Sequence, residues 1–432
     1  MGNLFEFLLL DDPNVRWVLL AVVLMSASSG VVGTFTFLRK RALIGDAISH
    51  AILPGICLAF MLAQTKNPFF LLLGAFTTGW LGLFCIDMIT ARTKLKPDAA
   101  LGLVLSVFYG FGVLLLSIIQ NSGNAAQSGL DKFLFGKAAA MVQEDVMVFG
   151  LFSLVLISVV IYFFKAFTLI TFDREYAGTI GIPVKRMELL ISVLTVFAIA
   201  IGIQAVGVIL MAALLITPAA AARYWTENLK WMIFLSAVFA IFAGMMGTFI
   251  SYTLPKMPTG PWIVTVLSLL TVFSVLLGKK RGILYELQTQ NRVKKQILGE
   301  NILKCLYHLG ETDDAYQRYR AFDLIQDTRS IPTRDLKRGL IILQKKNLVT
   351  VTGKEVALTP SGVEEGRRVT KIHRLWEIYL TKHMQLPSDH VHEDAEAIEH
   401  IITPELEREL EKQLEYPLVD PHASPVPYKG KE

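Results

Sequence analysis

Residues 41–60 read RALIGDAISHAILPGICLAF, an apolar run interrupted by two ionisable side chains, Asp46 and His50. The run continues to about residue 64, which gives it the roughly 20 residues that a helix needs to cross a bilayer core. Other runs of sufficient length lie at 16–38, 68–90, 99–119, 145–165, 188–222, 229–252 and 260–278. They predict an all-α polytopic membrane region with several spans.

The composition indicates two regions that lie in different solvents. The 432-residue chain is 53% hydrophobic and 18% charged, too apolar for a soluble protein of this size. Residues 283–432 nevertheless hold 46 of its 79 Lys, Arg, Asp and Glu residues. We therefore expect a transmembrane domain over 1–282 and soluble domains behind it. Three scattered cysteines indicate no disulfide framework, and Asp11, Asp12 and Pro13 before the first run argue against a cleavable signal peptide.

The number of spans depends on the stretch 188–222, which is too long for one straight helix and barely enough for two. Gly202, Gly207 and Pro218 would permit a break within it. Two spans there place fifteen basic residues in inner loops and at most five in outer loops. We therefore expect about nine spans and a cytoplasmic C-terminal region.

Asp46 and His50 form the most informative pair in the membrane region. They are four residues apart and so share one helix face, and His50 lies roughly 13 Å from the basic boundary at Arg41, near mid-membrane. Ionisable groups at such depth are costly and typically mark transport paths. A carboxylate and an imidazole provide half of a coordination shell for zinc, manganese or ferrous iron. The alternative is a hydrogen bond that serves helix packing. Asp87, the third ionisable side chain within the spans, lies close to the basic loop at Arg92.

Three helical stretches and a hairpin follow the membrane region. The helices are expected to about 309, over 321–329 and from about Pro332, and LVTVTGKEVALTP at 348–360 predicts two strands joined at Gly353. This order is typical of a winged helix-turn-helix, which we place at 283–359. Helices over 360–384 and 390–414 predict a helical metal-binding and dimerisation domain at 360–432.

Histidine and glutamate pairs recur in that last domain at helical spacing. His373 precedes Glu377 by four residues, and His392 precedes Glu396 by four, with Glu399 and His400 one turn on. Mixed nitrogen and oxygen ligands of this kind suit manganese, iron or zinc. A solvated charged face is the alternative interpretation.

Three segments of the membrane region carry a resemblance to a known family. RALIGDAISHAILPGICLAF at 41–60, FLFG at 133–136 and GVILMAALLITPAAAARY at 207–224 resemble the permease subunits of bacterial zinc, manganese and iron ABC importers. The resemblance implies a homodimeric permease among the lipids of the bacterial inner (plasma) membrane. It also implies an extracytoplasmic metal-binding protein, a separate ATPase subunit, and metal contact by Asp46 and His50.

The inner loop TFDREYAGTIGIPVKR at 171–186 is similar to the segment through which such permeases contact the ATPase. The residues that carry the similarity are Glu175, Ala177, Gly181 and Pro183. No GxxxxGK[ST] phosphate loop occurs in the sequence, so we expect a permease that is not itself an enzyme.

Residues 290–428 resemble the diphtheria-toxin-repressor family of metal-dependent regulators, on KIHRLWEIYL and LPSDHVHEDAEAIEHIITPELEREL. The resemblance implies one metal site at His373, Glu377 and His392 and another at Glu396, Glu399 and His400. Asn301 and Lys304 stand where further ligands are expected. Asn301 is a weak donor and Lys304 would repel a cation, so we expect altered metal binding.

The expected functions differ mainly in the role of the C-terminal region. The leading one is the permease of a manganese, iron or zinc ABC importer with a fused metal-responsive domain, with the ion as substrate and effector rather than permanent cofactor. The alternative is a membrane-tethered or released regulator that binds DNA through Arg334, Lys337 and Arg338. Residues 283–346 hold 12 basic and 8 acidic residues, a modest excess for a DNA-binding surface. A third is a domain that only dimerises.

Overall fold

The computed structural model of the protein describes residues 13–41, 43–65, 67–121, 141–208, 210–254, 257–384 and 402–428. Its contacts divide the chain into two units, Met1–Glu286 and Leu287–Glu432. The helices of the first unit are α1 (Pro13–Leu38), α2 (Ile44–Ala63), α3 (Pro68–Arg92), α4 (Pro97–Asn121), α5 (Gln143–Tyr162), α6 (Phe164–Phe172), α7 (Arg174–Thr179), α8 (Val184–Val206), α9 (Met211–Arg223), α10 (Leu229–Thr253) and α11 (Thr259–Leu277). Next come α12 (Ile283–Asp313), β1 (Arg320–Ala321), α13 (Phe322–Arg329), α14 (Thr333–Lys345), β2 (Val349–Thr352), β3 (Glu355–Leu358), α15 (Pro360–Met384) and α16 (Pro404–Gln413).

Eight helices in the described residues are long and apolar enough to cross a membrane. They are α1 to α5, α8, α10 and α11, and each lies on an apolar run identified in the sequence. A multi-pass membrane protein is therefore confirmed.

The long apolar stretch at 188–222 contains two helices separated by a glycine break. Helix α8 ends at Val206, and Gly207 follows with φ +83°, a conformation that disfavours residues with a Cβ. Helix α9 then has 13 residues and is about 20 Å long. Six of its side chains are fully buried, at Met211, Leu214, Leu215, Ala219, Ala221 and Ala222. It therefore packs among the other helices of this unit.

Glycines allow α2 and α3 to cross with their backbones in contact. A Cβ on Gly55 would overlap the carbonyl oxygen of Gly74, and a Cβ on Gly74 would overlap that of Gly55. Close approach through small residues is how membrane helices commonly associate. On another side, Gly112 of α4 leaves space for Leu53 of α2. Helix α2, which carries Asp46 and His50, is thus packed closely by two neighbours.

Helix α1 is buried against α5 and α10. Its Ser28 Oγ donates to Ser153 Oγ of α5 over 3.3 Å, and Ser236 Oγ of α10 donates to the Gly30 carbonyl over 2.8 Å. These hydrogen bonds satisfy polar atoms that would be costly in an apolar core.

The first part of the second unit is built from α12, α13 and α14 and a three-stranded antiparallel sheet. The strand order is β1-β3-β2, with Arg320 opposite Val356 and Val349 opposite Leu358. Gly353, with φ +61°, lies in the turn of the predicted hairpin. The buried core between helices and sheet consists of Ile302, Leu303, Cys305, Leu306, Ile325, Leu336, Leu340, Leu343, Val349, Val356 and Leu358.

The second part of this unit contains α15 and α16. Helix α15 coincides with the predicted helix 360–384, whereas much of the predicted helix 390–414 lies outside the described residues. Leu375 of α15 packs with Leu410, Leu414 and Val426. The C-terminal segment therefore folds back on α15.

Candidate metal sites

Asp46 and His50 lie one helical turn apart on α2, as their spacing predicts. His50 Nε2 lies 3.6 Å from Asp46 Oδ1, and the side chains are 15% and 43% exposed, respectively. Asp46 is in the first turn of α2, where the helix dipole stabilises a negative charge. The pair therefore presents a nitrogen and carboxylate oxygens on one face, with the carboxylate the more accessible group.

The environment of His50 leaves ligand capacity unused. Its ring packs edge-on against Tyr109 of α4, with the ring centroids 4.7 Å apart. Nδ1 is buried and has no hydrogen-bond partner among the described residues. Pro54, one turn on, has no N–H to donate to the His50 carbonyl. Helix packing alone thus leaves polar atoms of His50 unsatisfied, which is unfavourable in a purely structural role.

Asp87 belongs to a different environment. Its Oδ1 lies 3.6 Å from Arg41 Nη1, and both side chains are substantially exposed. Within the described ranges, no group of three or more His, Cys, Asp and Glu side chains converges as a metal site. Among the described residues, Asp46 and His50 are thus two possible ligands and not a complete metal site.

The loop that resembles an ATPase-contact segment forms the short helix α7 followed by a glycine turn. Asp173 caps the helix by accepting from the Tyr176 N–H over 2.9 Å. Ala177 is fully buried and anchors the helix, whereas Glu175 is exposed. Gly181 has φ +87°, and Pro183 precedes α8. The four residues singled out by sequence thus comprise an exposed acid, an anchor and a turn.

Glu188 of α8, which sequence analysis did not identify, connects this loop to α1. Its Oε2 accepts from Arg174 over 3.0 Å, and its Oε1 accepts from Arg39 over 3.4 Å. Arg174 begins α7, and Arg39 directly follows α1. Three segments are therefore joined by one carboxylate. The sequence offered one sign of this role, because Glu188 is an acidic residue near the basic residues Arg174, Lys185 and Arg186.

In the second unit, His373 and Glu377 are adjacent on α15 and almost completely buried. His373 Nε2 lies 3.1 Å from Glu377 Oε1. Lys304 of α12 is fully buried, and its Nζ lies 3.3 Å from His373 Nδ1. The structure thus places an ammonium group directly at the predicted metal ligands. Asn301, one turn earlier on α12, has a buried Oδ1 without a partner among the described residues.

The other predicted regulatory ligands lie outside the described residues. These are His392, Glu396, Glu399 and His400. Their grouping into a second site stays a prediction.

A further polar cluster at α12 and α15 was not predicted from the sequence. Arg374 donates through both terminal nitrogens to Glu311, each over 2.8 Å, and Asp420 lies 3.6 Å from Arg374 Nε. His308 Nδ1 lies 2.9 Å from Glu311 Oε2. Burial raises the pKa of Glu311, but hydrogen bonds from His308 and Arg374 outweigh it, and the pKa lies below its ordinary value. This cluster ties the C-terminal segment to the two helices.

The proposed DNA-reading residues Arg334, Lys337 and Arg338 are all exposed on α14. Arg338 also lines a groove between α12 and α14 to which Lys294 and Lys295 contribute. The exposed side of this helix is therefore basic, although Asp335 lies 3.9 Å from Arg338.

Comparison with known proteins gives two family matches. Residues 11–278 match the ABC 3 transport family, and residues 359–428 match the iron dependent repressor, metal binding and dimerisation domain. The chain is 41% identical over 380 residues to the manganese transport system membrane protein MntC of Bacillus subtilis, covering 88% of this chain and 87% of that protein. That alignment is longer than the first unit and so extends into the second.

Two further relatives match the membrane region. The zinc transport system membrane protein TroC of Treponema pallidum is 43% identical over 285 residues, which cover 66% of this chain and 96% of that one. The solved structure of PsaBC from Streptococcus pneumoniae in complex with Fab matches with a TM-score of 0.59 and 31% identity, over 64% of this chain and 97% of that chain. The protein belongs to the ABC 3 transport family, as a membrane subunit that carries an iron-dependent-repressor metal-binding and dimerisation domain behind its spans.

Proposed function

We propose that the chain is the permease subunit of an ATP-driven importer of divalent transition metals, with manganese, zinc and iron as the candidate ions. The observation that carries the proposal is the Asp46–His50 pair, a carboxylate and an imidazole 3.6 Å apart within a helix long enough to span a membrane. Relatives named for manganese and zinc transport support the same substrate class.

In this proposal the metal ion is the cargo, and α2 provides its transit ligands. Asp46, the more exposed group, attracts the cation and donates a carboxylate oxygen. The His50 imidazole is largely enclosed and contributes nitrogen. A shell of two protein ligands leaves positions for water or for a second permease copy, so the ion is held weakly enough to leave.

The energy for transport comes, we propose, from a separate ATPase subunit that docks on α7. Tyr176 and Ile180 of this loop lie outside the spanning helices and are about half exposed, so they present apolar surface on which a partner could dock. Glu188, which holds Arg174 and Arg39, then transmits movement of α7 to α1. An extracytoplasmic metal-binding protein delivers the ion on the opposite face, and two permease copies form the pathway.

The proposed topology has nine spans, with α9 and the Gly207 segment as the additional crossing. Helix α9 alone is shorter than the roughly 30 Å of a bilayer core. Because it is buried among other helices, it can belong to a crossing without contacting lipid along its full length. An odd number of crossings places the C-terminal region in the cytoplasm when the N-terminus lies outside.

Transport measurements on single metals test the central proposal. Asp46→Ala and His50→Ala should each lower uptake of the transported ion by at least about tenfold, because each removes one of two ligands. Asp87→Ala is the matched control, since this acid pairs with Arg41 at 3.6 Å instead. Undiminished uptake in both transit-site variants would refute the transit site.

For the C-terminal region we propose a winged helix-turn-helix over 283–359 and a regulatory helical domain over 360–432. The order of α13, α14 and the β2–β3 hairpin supports the first assignment. If the domain damps transport when cytosolic metal rises, vesicles with the intact chain should be inhibited by internal metal and vesicles with a chain ending at Gly282 should not. Equal inhibition of both would contradict regulation by this domain.

The exposed basic residues of α14 favour DNA binding as a second candidate function. Intact protein in lipid nanodiscs should then bind a DNA duplex of specific sequence, and the double substitution Arg334→Ala, Arg338→Ala should abolish this binding. Lys412→Ala, an exposed charge on α16, is the control. Equal retention of specific and random duplexes would rule out a regulator that reads sequence.

A further inference from the structure

The cluster formed by Lys304, His373 and Glu377 is the most deeply buried charged group in the described part of the second unit. The three residues are 0%, 3% and 2% exposed, respectively. Lys304 lies on α12 and the other two on α15, so the cluster joins two helices of the same unit. A lysine is almost never completely buried unless its charge is compensated.

The distances specify how this charge is compensated. Lys304 Nζ lies 3.3 Å from His373 Nδ1, and His373 Nε2 lies 3.1 Å from Glu377 Oε1. An ammonium group can only donate, and a carboxylate can only accept. One tautomer of a neutral imidazole satisfies both contacts: Nδ1 accepts from Lys304, and the Nε2 proton is donated to Glu377. The ammonium and the carboxylate are then linked through the ring, and their charges cancel.

A divalent metal does not fit this arrangement. Both nitrogens of His373 are engaged. An ion at Nδ1 would have to replace the ammonium or lie beside it. An ion at Nε2, next to Glu377, would leave the ring proton on Nδ1, where it would face an ammonium that can only donate. Two cations in contact away from water repel each other strongly, because little solvent screens them. The buried Asn301 Oδ1 is a neutral oxygen and cannot offset that repulsion. The residues present therefore disagree with the metal site that the domain family implies.

We propose that the Lys304 ammonium serves as the permanent cation of this site, so that His373 and Glu377 bind no metal and α12 and α15 stay joined whether metal is present or not. The domain thereby keeps at this point an arrangement that a bound ion would otherwise have to create. Any metal response of the C-terminal region must then arise from other ligands. The proposal is independent of transport through Asp46 and His50.

The first test counts manganese ions bound to the purified intact chain, in an Asp46→Ala, His50→Ala background that removes the transit ligands. Adding His373→Ala should leave the number of bound ions unchanged. Loss of one ion per chain on this substitution would overturn the proposal.

A converse substitution tests whether the lysine is what excludes the ion. Lys304→Glu replaces the ammonium by a carboxylate and should add one bound manganese ion per chain, and that ion should be lost again with His373→Ala. Lys304→Met, which has similar length and no charge, removes the repulsion without adding a ligand, so its added ion should bind more weakly than that of Lys304→Glu. A Lys304→Glu chain that is folded and gains no ion would contradict the role assigned to the ammonium.

Stability provides a readout that needs no metal. With a chelator present, Lys304→Met and Glu377→Gln should each accelerate amide hydrogen exchange in α12 and α15, because each removes one charge of a buried, hydrogen-bonded cluster that joins the two helices. The double variant should exchange more slowly than the sum of the two effects predicts. Simple additivity of the two effects would overturn the proposal. So would a manganese-induced slowing of exchange in the unsubstituted chain that disappears in His373→Ala.

Discussion

The ring of Tyr109 meets the ring of His50 edge-on, with centroids 4.7 Å apart and planes at 78°. This contact joins α4 to His50 of α2, the transit ligand that we propose, and limits rotation of the imidazole. The imidazole is therefore oriented by packing from a neighbouring helix, in addition to its contact with Asp46.

Tyr109→Ala should weaken metal transport without removing a ligand. Loss of the ring frees the His50 side chain, and supporting residues of metal ligands typically contribute about tenfold or more to affinity. We expect the apparent KM for the transported ion to rise by about tenfold. Tyr109→Phe keeps the ring and should behave as the unsubstituted protein. A Phe variant as impaired as the Ala variant would show that the hydroxyl, not the ring packing, matters.

Glu188→Gln should reduce coupling between ATP hydrolysis and transport. The amide retains the size of the carboxylate but loses the charge that holds Arg174 and Arg39 together. Residues along such links modulate coupling by about 0.5–2 kcal/mol, or roughly 2- to 30-fold. Metal uptake per ATP hydrolysed in the reconstituted complex should fall accordingly. Asp87→Asn, which disrupts an exposed pair, is the control, and equal loss in both variants would argue against a specific role for Glu188.

The parts of this protein that depend on local pattern could be predicted from the sequence. Spanning helices follow from apolar runs, and the pairing of Asp46 with His50 or of His373 with Glu377 follows from four-residue helical spacing. Contacts between distant segments could not be derived in this way. Lys304 reaches His373 across 69 positions, and Glu188 meets Arg39 across 149. The sequence indicated only that Lys304 would oppose a metal, and its burial at the His373 ring required the packing of α12 on α15.

The α2–α3 crossing predicts unequal effects for two glycine substitutions of the same kind. Gly55→Ala places a methyl group against the Gly74 carbonyl and should destabilise the protein by about 1–3 kcal/mol, as overpacking typically does. Gly110→Ala meets no atom within 4 Å and should be neutral or slightly stabilising. Thermal unfolding in one detergent compares the two directly. Similar melting temperatures for both variants would contradict a backbone-to-backbone crossing.

Glu311 should make the second unit sensitive to acid. Its pKa in the folded chain lies below the ordinary value of 4.5, so its ion pair with Arg374 stabilises fully above 4.5, and this contribution is lost as pH falls through the lower, folded pKa. Glu311→Gln should therefore accelerate hydrogen exchange of α12 and α15 amides at pH 7, relative to each amide's intrinsic rate. This acceleration should shrink as the pH falls from 4.5 through the lower, folded pKa, because the glutamate of the unsubstituted chain then also becomes neutral. Glu409→Gln is the matched control, because this glutamate is exposed on α16 and forms no ion pair among the described residues. An excess for Glu311→Gln that persists unchanged through the acid range would mean that the side chain acts by shape and not by charge.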